Sequence, residues 1–282
     1  MKYLRALLLI AFCVGFPLLA GASSSDDPYY LYQAGNWFAG RGDLNLETQT
    51  SYGTRDTRLL GPNALEQSLC LRVAGTDWLS LEAWGGAAIP TSSRTAAEGA
   101  VKQDYTYSAD LYARLLKQDG QYLNLALGLG YRNDFNETSI PRVHLNVDRS
   151  WGRFDMALST LAEIPVSVSK ATPNGQPALK YDDVDWVVSY AASYEVADWV
   201  RIGGEAEIDD MEGFWETDEA EGGAKLDIGP TARFAITKAF HARVNVGAVV
   251  PVTVNSPTSV AGLTAPPSRV GVLGCVAFGY DF

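Results

Sequence analysis

The sequence predicts an all-β fold: a transmembrane up-and-down antiparallel β-barrel of about 12 strands, with long extracellular loops and short periplasmic turns. Three observations predict it. Side-chain polarity alternates at every second residue along most of the chain, long and short connections follow one another in order, and no apolar run after residue 22 is long enough for a membrane helix. Because 47% of the residues are hydrophobic, a secreted β-protein is the class that remains.

The first 22 residues have the layout of a secretory signal peptide. Lys2 and Arg5 form a short basic segment, an apolar run follows, and small alanine residues precede the expected cleavage after Ala22. Neither a linker nor a shift in composition divides the rest of the chain. The predicted regions are a signal peptide at 1–22, a periplasmic N-terminal segment at 23–42 and a single outer-membrane β-barrel at 43–282.

The alternation defines the individual strands, because a strand with two unlike faces repeats every second residue. In one segment, for example, Leu125, Leu127 and Leu129 alternate with alanine and glycine. The predicted strands span 43–53, 64–74, 78–89, 103–116, 121–132, 140–149, 151–164, 184–195, 199–209, 223–236, 239–252 and 269–282.

The connections between these strands alternate in length. Tight periplasmic turns and long outer loops are typical of barrels in the outer membrane, and an even strand count places both termini in the periplasm. The short connections are 75–77, 117–120, 150, 196–198 and 237–238; the long ones are 54–63, 90–102, 133–139, 165–183, 210–222 and 253–268.

An aromatic residue follows each short connection. Aromatic residues are only 11% of the chain, and their rings settle at the interface between bilayer and water. We therefore predict a periplasmic girdle formed by Trp78, Tyr122, Trp151, Trp199 and Phe240.

The C-terminus carries the most specific motif. Val276, Phe278, Tyr280 and Phe282 occupy alternate positions up to the last residue. This pattern resembles the C-terminal assembly signal of Gram-negative outer-membrane proteins, which the barrel-assembly machinery reads. The resemblance covers the last dozen residues, and it implies a location and an assembly route but no activity.

Strand parity directs the charged side chains into the barrel and leaves the outward positions almost uncharged. The bilayer enforces such sorting, since a lysine or arginine facing lipid at mid-depth costs about 2–4 kcal/mol. The predicted lumen-lining residues are Glu82, Asp110, Arg114, Arg132, Arg142, His144, Asp148, Arg153, Arg201, Glu205, Lys225, Asp227, Arg233 and Arg243. Opposite charges at similar depth favour paired networks. Both a narrow polar channel and a sealed, salt-bridged core satisfy this pattern.

The two histidines are the candidates for chemistry. His144 and Asp148 lie four residues apart on one predicted strand, about 13 Å, which is too far for a direct hydrogen bond. We therefore expect His144 to belong to a charged lumen network, and two histidines give no metal cluster. A lipase or lipid A deacylase of the membrane would need a Ser–His pair on the lipid-facing wall, whereas both His144 and His241 have inward parity.

One loop is strongly acidic. Its carboxylates are Asp209, Asp210, Glu212, Glu216, Asp218, Glu219 and Glu221. Their spacing does not match a calcium-binding helix–loop–helix motif. We expect the loop at the cell surface, where it could gather divalent cations that bridge lipopolysaccharide, recognise a cationic ligand, or simply be solvated. Phe214 and Trp215 fit the last alternative least well.

Cys70 and Cys275 remain after signal-peptide cleavage, and both have inward parity. Closure of the barrel leaves one strand between theirs, so their backbones are at best roughly 9–10 Å apart. A disulfide needs Cα atoms within about 7 Å. We expect two free thiols.

The pattern as a whole favours a passive channel or transporter for small polar solutes, without a cofactor or metal. A structural barrel that works through its extracellular loops is the alternative, and a lipid-modifying enzyme is the third. The formal net charge of −11 argues against nucleic acid as a partner. The expected partners are outer-membrane lipid, lipopolysaccharide and the barrel-assembly machinery, and the chain is expected to be a monomer.

Overall fold

The protein folds into a closed barrel of antiparallel strands in which each strand pairs with its neighbours in sequence and the last pairs with the first. The computed structural model describes residues 42–54, 64–90, 104–118, 123–134, 138–164, 184–209, 211–214, 224–252 and 270–282. The predicted signal peptide and nearly all of the 23–42 segment lie outside these residues. Within them, no helix has the length and hydropathy needed to cross a membrane.

The strands end within three residues of their predicted bounds. They are β1 Leu44–Gly53, β2 Ala64–Thr76, β3 Leu79–Pro90, β4 Asp104–Leu116, β5 Asn124–Asp134, β6 Thr138–Trp151, β7 Phe154–Glu163, β8 Asp185–Ala197, β9 Val200–Asp209, β10 Lys225–Ala235, β11 Phe240–Pro251 and β12 Gly271–Asp281. A single turn of 3₁₀-helix, Met211–Phe214, follows β9.

The inner and outer faces of the barrel wall differ in burial and polarity, as the alternation at every second residue predicts. Inward residues of β2, such as Glu66, Cys70 and Arg72, are buried, whereas Leu65, Leu69 and Leu71 between them are exposed on the outer face. A polar interior inside an apolar wall is the arrangement that a bilayer imposes on a barrel. Within the described residues, buried apolar side chains form only small clusters, such as Ala64, Val249, Leu273 and Cys275, and buried polar side chains lie between them.

The connections define two ends of the barrel. At the turn end β2–β3, β4–β5, β6–β7, β8–β9 and β10–β11 are joined; at the loop end the remaining pairs are joined. One predicted long loop is wrong: β5 and β6 extend until only residues 135–137 separate them. The ladder between these strands continues to Asp134 opposite Thr138, and Pro141 lies within β6, as in the predicted strand 140–149. The Pro141 carbonyl accepts from Ile164 N just after β7, so the missing N–H falls at the end of that ladder and costs at most one terminal bond.

The turn-end aromatic residues occupy positions slightly different from those predicted. Trp78 and Trp199 lie within the turns and are 63% and 61% exposed. Trp151 ends β6 instead of beginning β7, because the turn consists of Gly152 and Arg153, with Gly152 at φ 59°. Phe240 begins β11 as predicted and stacks on Phe278, while Tyr122 falls outside the described residues. The girdle itself stays a prediction.

The seam between β1 and β12 closes the barrel. Its register runs from Asn45 opposite Asp281 to Gly53 opposite Leu273. The final residue takes part, since Phe282 N donates to Leu44 O at 2.8 Å and the Phe282 ring packs against Tyr280 at 4.7 Å between centroids. The C-terminal motif is therefore built into the closing strand.

We predict that deletion of Phe282 strongly reduces assembly. The deletion removes the last backbone hydrogen bond of the seam and the terminal aromatic group of the assembly motif. The folded, heat-modifiable band in the outer-membrane fraction should fall, and unfolded chain should collect in the periplasm. Phe282→Tyr keeps an aromatic terminus and should assemble normally. Normal assembly of the truncated chain would contradict the prediction.

The two cysteines are both free and buried. Cys70 lies beside Glu47 of β1 and Cys275 beside Ser51, on opposite sides of that strand. The four-residue offset adds roughly 13 Å along the strand to the separation across it, so a disulfide would require the wall to buckle.

Thiol titration of the denatured, unreduced chain should find two free thiols after cleavage of the signal peptide. A count of zero in a monomer would contradict the register.

Candidate functional site: the charged interior

The interior contains nearly all of the predicted lumen residues. Glu82, Asp110, Arg114, His144, Glu205, Asp227 and Arg243 are buried, and Arg132, Arg142, Asp148, Arg201, Lys225 and Arg233 are half-buried at inward strand positions. Arg153 was predicted wrongly. It lies in the turn after Gly152, outside the alternation of β7, and it is exposed.

A row of polar side chains crosses the interior, and we call it the belt. The register places its members side by side on β12 and then on β1 to β8: Asp281, Asn45, Arg72, Glu82, Asp110, Gly130, Arg142, Glu163 and Asp185. Because barrel strands are tilted, such a row climbs as it passes around the wall. It begins at the turn end with Asp281 and reaches the loop end at Asp185.

The belt is held by short polar contacts. Asn45 Nδ2 donates to Asp281 at 2.7 Å, and Arg72 donates to Asn45 at 2.9 Å and to Glu82 at 2.8 Å. Arg142 then joins Asp110 at 2.9 Å and Glu163 at 3.2 Å. Near the loop end, Arg132 also contacts Glu163 at 2.7 Å, and the side chain of Glu163 is fully buried. Burial of the arginines and of Glu82, Asp110 and Glu163 is tolerated because each contacts an opposite charge.

Two glycines allow β4 and β6 to touch across β5. Gly130 lies between Asp110 and Arg142, and Gly128 lies between Tyr112 and His144. A Cβ on Gly128 would lie 2.6 Å from Cδ1 of Tyr112 and 3.0 Å from Cβ of His144. The missing side chains make room for His144 Nε2 to contact Asp110 at 3.0 Å and for the two rings to meet edge to face.

These contacts confirm the charged environment expected for His144 and identify its partner. Asp148, the neighbour on its own strand, accepts instead from Asn124 Nδ2 at 2.6 Å. One sequence pattern could have identified Asp110 as the partner of His144. It is the pair of inward glycines on β5, which leave space for side chains of β4 and β6 to meet across β5.

Small residues serve the same purpose at the seam. Gly279 and Ala277 of β12 lie between β11 and β1, so Arg243 and His241 can extend across β12. Arg243 forms an ion pair with Glu47 of β1, and Arg72 approaches the same carboxylate at 3.7 Å. Glu47 is 4% exposed, and it is thus compensated by two arginines from opposite sides.

The turn end also carries a row of arginines. Arg233 lies directly between Arg201 and Arg243 in the register of β9, β10 and β11. Arg201 is compensated by Glu195 at 3.0 Å and by Asp155, and Arg243 by Glu47. Like charges side by side are costly unless carboxylates surround them, which is what these partners provide.

The mid-height of the interior is filled by side chains. Tyr112, Asn146, Asn245 and His144 are each 0–1% exposed. Trp84 also projects inward, and Gly86 leaves room for it, since a Cβ there would lie 2.7 Å from the indole ring. The sequence analysis did not single out Trp84, although its parity is inward.

The predicted acidic loop falls mostly outside the described residues. Asp209 proves to be part of the wall: it ends β9, faces inward and is 1% exposed. Phe214 ends the 3₁₀ turn and is 49% exposed. No group of three or more metal-binding side chains occurs in the ranges that the structure describes.

The comparisons with known proteins concern the fold. No protein-family profile matches the sequence, and no curated protein is significantly similar to it. Among solved structures, the chain is similar to the KdgM porin in complex with disordered oligogalacturonate, with a TM-score of 0.54 and 10% identity over 84% of this chain and 99% of that one. The chain has the fold of Gram-negative outer-membrane barrels.

Two further structures of this fold are similar. The NanC porin has a TM-score of 0.53 and 8% identity over 83% of this chain and 98% of its own. An outer-membrane channel from Pseudomonas putida F1 has a TM-score of 0.55 and 12% identity over 86% of this chain and 96% of its own. The likeness to channel proteins is one of architecture.

Proposed function

We propose that the protein is a passive outer-membrane channel for small polar solutes. The observation that carries the proposal is the charged, hydrogen-bonded interior of a barrel with an apolar outer wall. Buried charge is expensive to maintain, and an inert wall could be filled with neutral side chains. Twelve strands enclose a lumen between the filled eight-stranded kind and the open sixteen-stranded kind, which suits a narrow passage.

The proposal includes an orientation and a setting. The chain is exported by the predicted signal peptide and inserted as a monomer by the barrel-assembly machinery. The turn end faces the periplasm, and the loop end faces the medium and the lipopolysaccharide. The acidic segment that follows β9 lies outside the cell, where divalent cations can bind it.

Side chains at mid-height set the width of the passage. The Tyr112 ring is fully buried between β4 and β6, and its hydroxyl makes no hydrogen bond within the described part of the chain. Removal of this ring should widen the passage without breaking an ion pair.

The test is single-channel recording in a planar bilayer. The wild-type protein should give small, ohmic unit currents, and Tyr112→Ala should increase the unit conductance. Tyr190→Ala is the matched control, because Tyr190 lies on the lipid-facing side of β8 and is 42% exposed. Absence of current from both the wild type and Tyr112→Ala would exclude the channel.

One observation favours a second candidate. The side chains at mid-height are so closely packed that the barrel could be a structural element whose loops carry the activity. A folded protein without conductance in the recording above would favour this candidate over the channel. In the described residues both histidines are interior, with His144 against Asp110 and His241 against Glu47 and Asp281, so neither reaches the lipid face as an acyl hydrolase requires.

A further inference from the structure

The two halves of the interior differ in charge. Among inward strand residues whose side chains the structure describes, the turn-end half is nearly balanced. Its carboxylates are Glu47, Glu82, Asp148, Asp155, Glu195 and Asp281, and its basic residues are Arg72, Arg114, Arg201, Arg233 and Arg243.

From mid-height to the loop end the balance is strongly acidic. Over the same described positions, the carboxylates are Glu66, Asp110, Glu163, Asp185, Glu205, Glu207, Asp209 and Asp227, and the basic residues are Arg132, Arg142 and Lys225. Arg132 and Arg142 are engaged by Glu163 and Asp110, and Lys225 lies beside Asp209. Over the described inward positions of this half, carboxylates therefore outnumber basic residues by eight to three.

Two of these carboxylates face each other. Glu207 and Asp227 are directly opposite in the register of β9 and β10, and the Ser189 hydroxyl donates to Glu207 at 2.6 Å. Opposed like charges on adjacent strands repel each other, and a passing cation relieves that repulsion. The pair thus makes the presence of a cation at this height favourable and that of an anion unfavourable.

An independent observation comes from the far side of the barrel. Glu66 of β2 is 5% exposed and faces inward between Ser51 and Ala88 of the neighbouring strands. No hydrogen bond or ion pair joins it to any other described residue. Among the described residues this carboxylate thus has no compensating charge, and when it is ionised a cation in the passage can supply one.

We propose that the interior selects cationic solutes over anionic ones, and that selection takes place at the loop end, at Glu66 and the Glu207–Asp227 pair. The inference rests on the proposed channel function and gives it a substrate class. Low-dielectric walls focus the field of these charges into the passage, so they act on a solute that does not touch them.

The experiment is the reversal potential of the full chain in a planar bilayer across a KCl gradient. The wild type should prefer K⁺ to Cl⁻. Glu66→Gln and the double variant Glu207→Gln/Asp227→Asn keep the size of the side chains, and both should move the reversal potential toward zero. Glu66→Lys should move it further. Ser68→Ala is the matched control, a neutral change of a buried inward neighbour on β2, and it should leave the potential unchanged. A preference for Cl⁻, or potentials that the charge variants do not move, would overturn the inference.

A second measurement separates the inference from the channel proposal. Gln49, half-buried on the inner face of β1, is replaced by cysteine in a background of Cys70→Ser and Cys275→Ser. Cationic and anionic methanethiosulfonates of similar size are then compared on the refolded protein. Faster labelling by the cationic reagent supports the acidic field even if no current is seen, in which case only the channel proposal fails. Faster labelling by the anionic reagent, or none by either, overturns the inference.

Discussion

Replacement of Glu47 by alanine should destabilise the barrel by about 3–5 kcal/mol, the range for breaking a buried ion pair on one side only. Glu47 is the carboxylate that Arg243 and Arg72 share. Its removal leaves Arg243, which is 1% exposed, without that compensation. Urea unfolding of the refolded protein in detergent, followed by tryptophan fluorescence, measures the loss in free energy of unfolding.

Two variants test the cause of this loss. Ser51→Ala alters another buried inward residue of β1, which accepts one hydrogen bond from Gln49, and it should cost only about 1 kcal/mol. Glu47→Ala combined with Arg243→Met removes both charges and should recover much of the stability, because an apolar replacement of both partners is often neutral. Equal stability of Glu47→Ala and Ser51→Ala would show that the arginines are compensated elsewhere.

A methyl group at Gly229 should prevent normal closure of the wall between β10 and β11. The register of these strands passes from Ile228–Ala248 to Thr231–Asn245 and omits Gly229 and Pro230. A Cβ on Gly229 would collide with the backbone of Val246 and Gly247, with the Val246 carbonyl carbon at 2.8 Å. Backbone cannot rotate away as a side chain can. We expect Gly229→Ala to reach or exceed the upper end of the about 1–3 kcal/mol typical of overpacking, with loss of the heat-modifiable band.

The matched control is Gly274→Ala on the lipid-facing side of β12. No atom lies within 4 Å of a Cβ at that position, so this variant should assemble and unfold like the wild type. If Gly229→Ala were as stable as Gly274→Ala, the close approach of β10 and β11 would be wrong.

The strands and their two faces could be predicted from the sequence because the bilayer penalises every error in the alternation. The pairing of charges inside the barrel could not be predicted from the sequence. Asp110 meets His144 only because β5 carries glycine between them, and that contact depends on register, which turns and bulges set at each strand pair. Arg153 failed for a local reason, because the turn at Gly152 shifted one strand boundary. The length of the 133–139 connection failed because the β5–β6 ladder continues to Asp134 opposite Thr138.

The belt joins residues from opposite ends of the chain, since Asn45 and Asp281 are 236 positions apart. Asp281 lies on β12, the strand that closes the barrel against β1, so the row that starts with it cannot be completed while the sheet is still open. Until then Asn45 lacks its bond to Asp281, and Arg243 lacks Glu47. Closure of the barrel therefore supplies these two contacts together. We therefore expect an open sheet to be disfavoured by these uncompensated groups, and closure of the barrel to remove that cost.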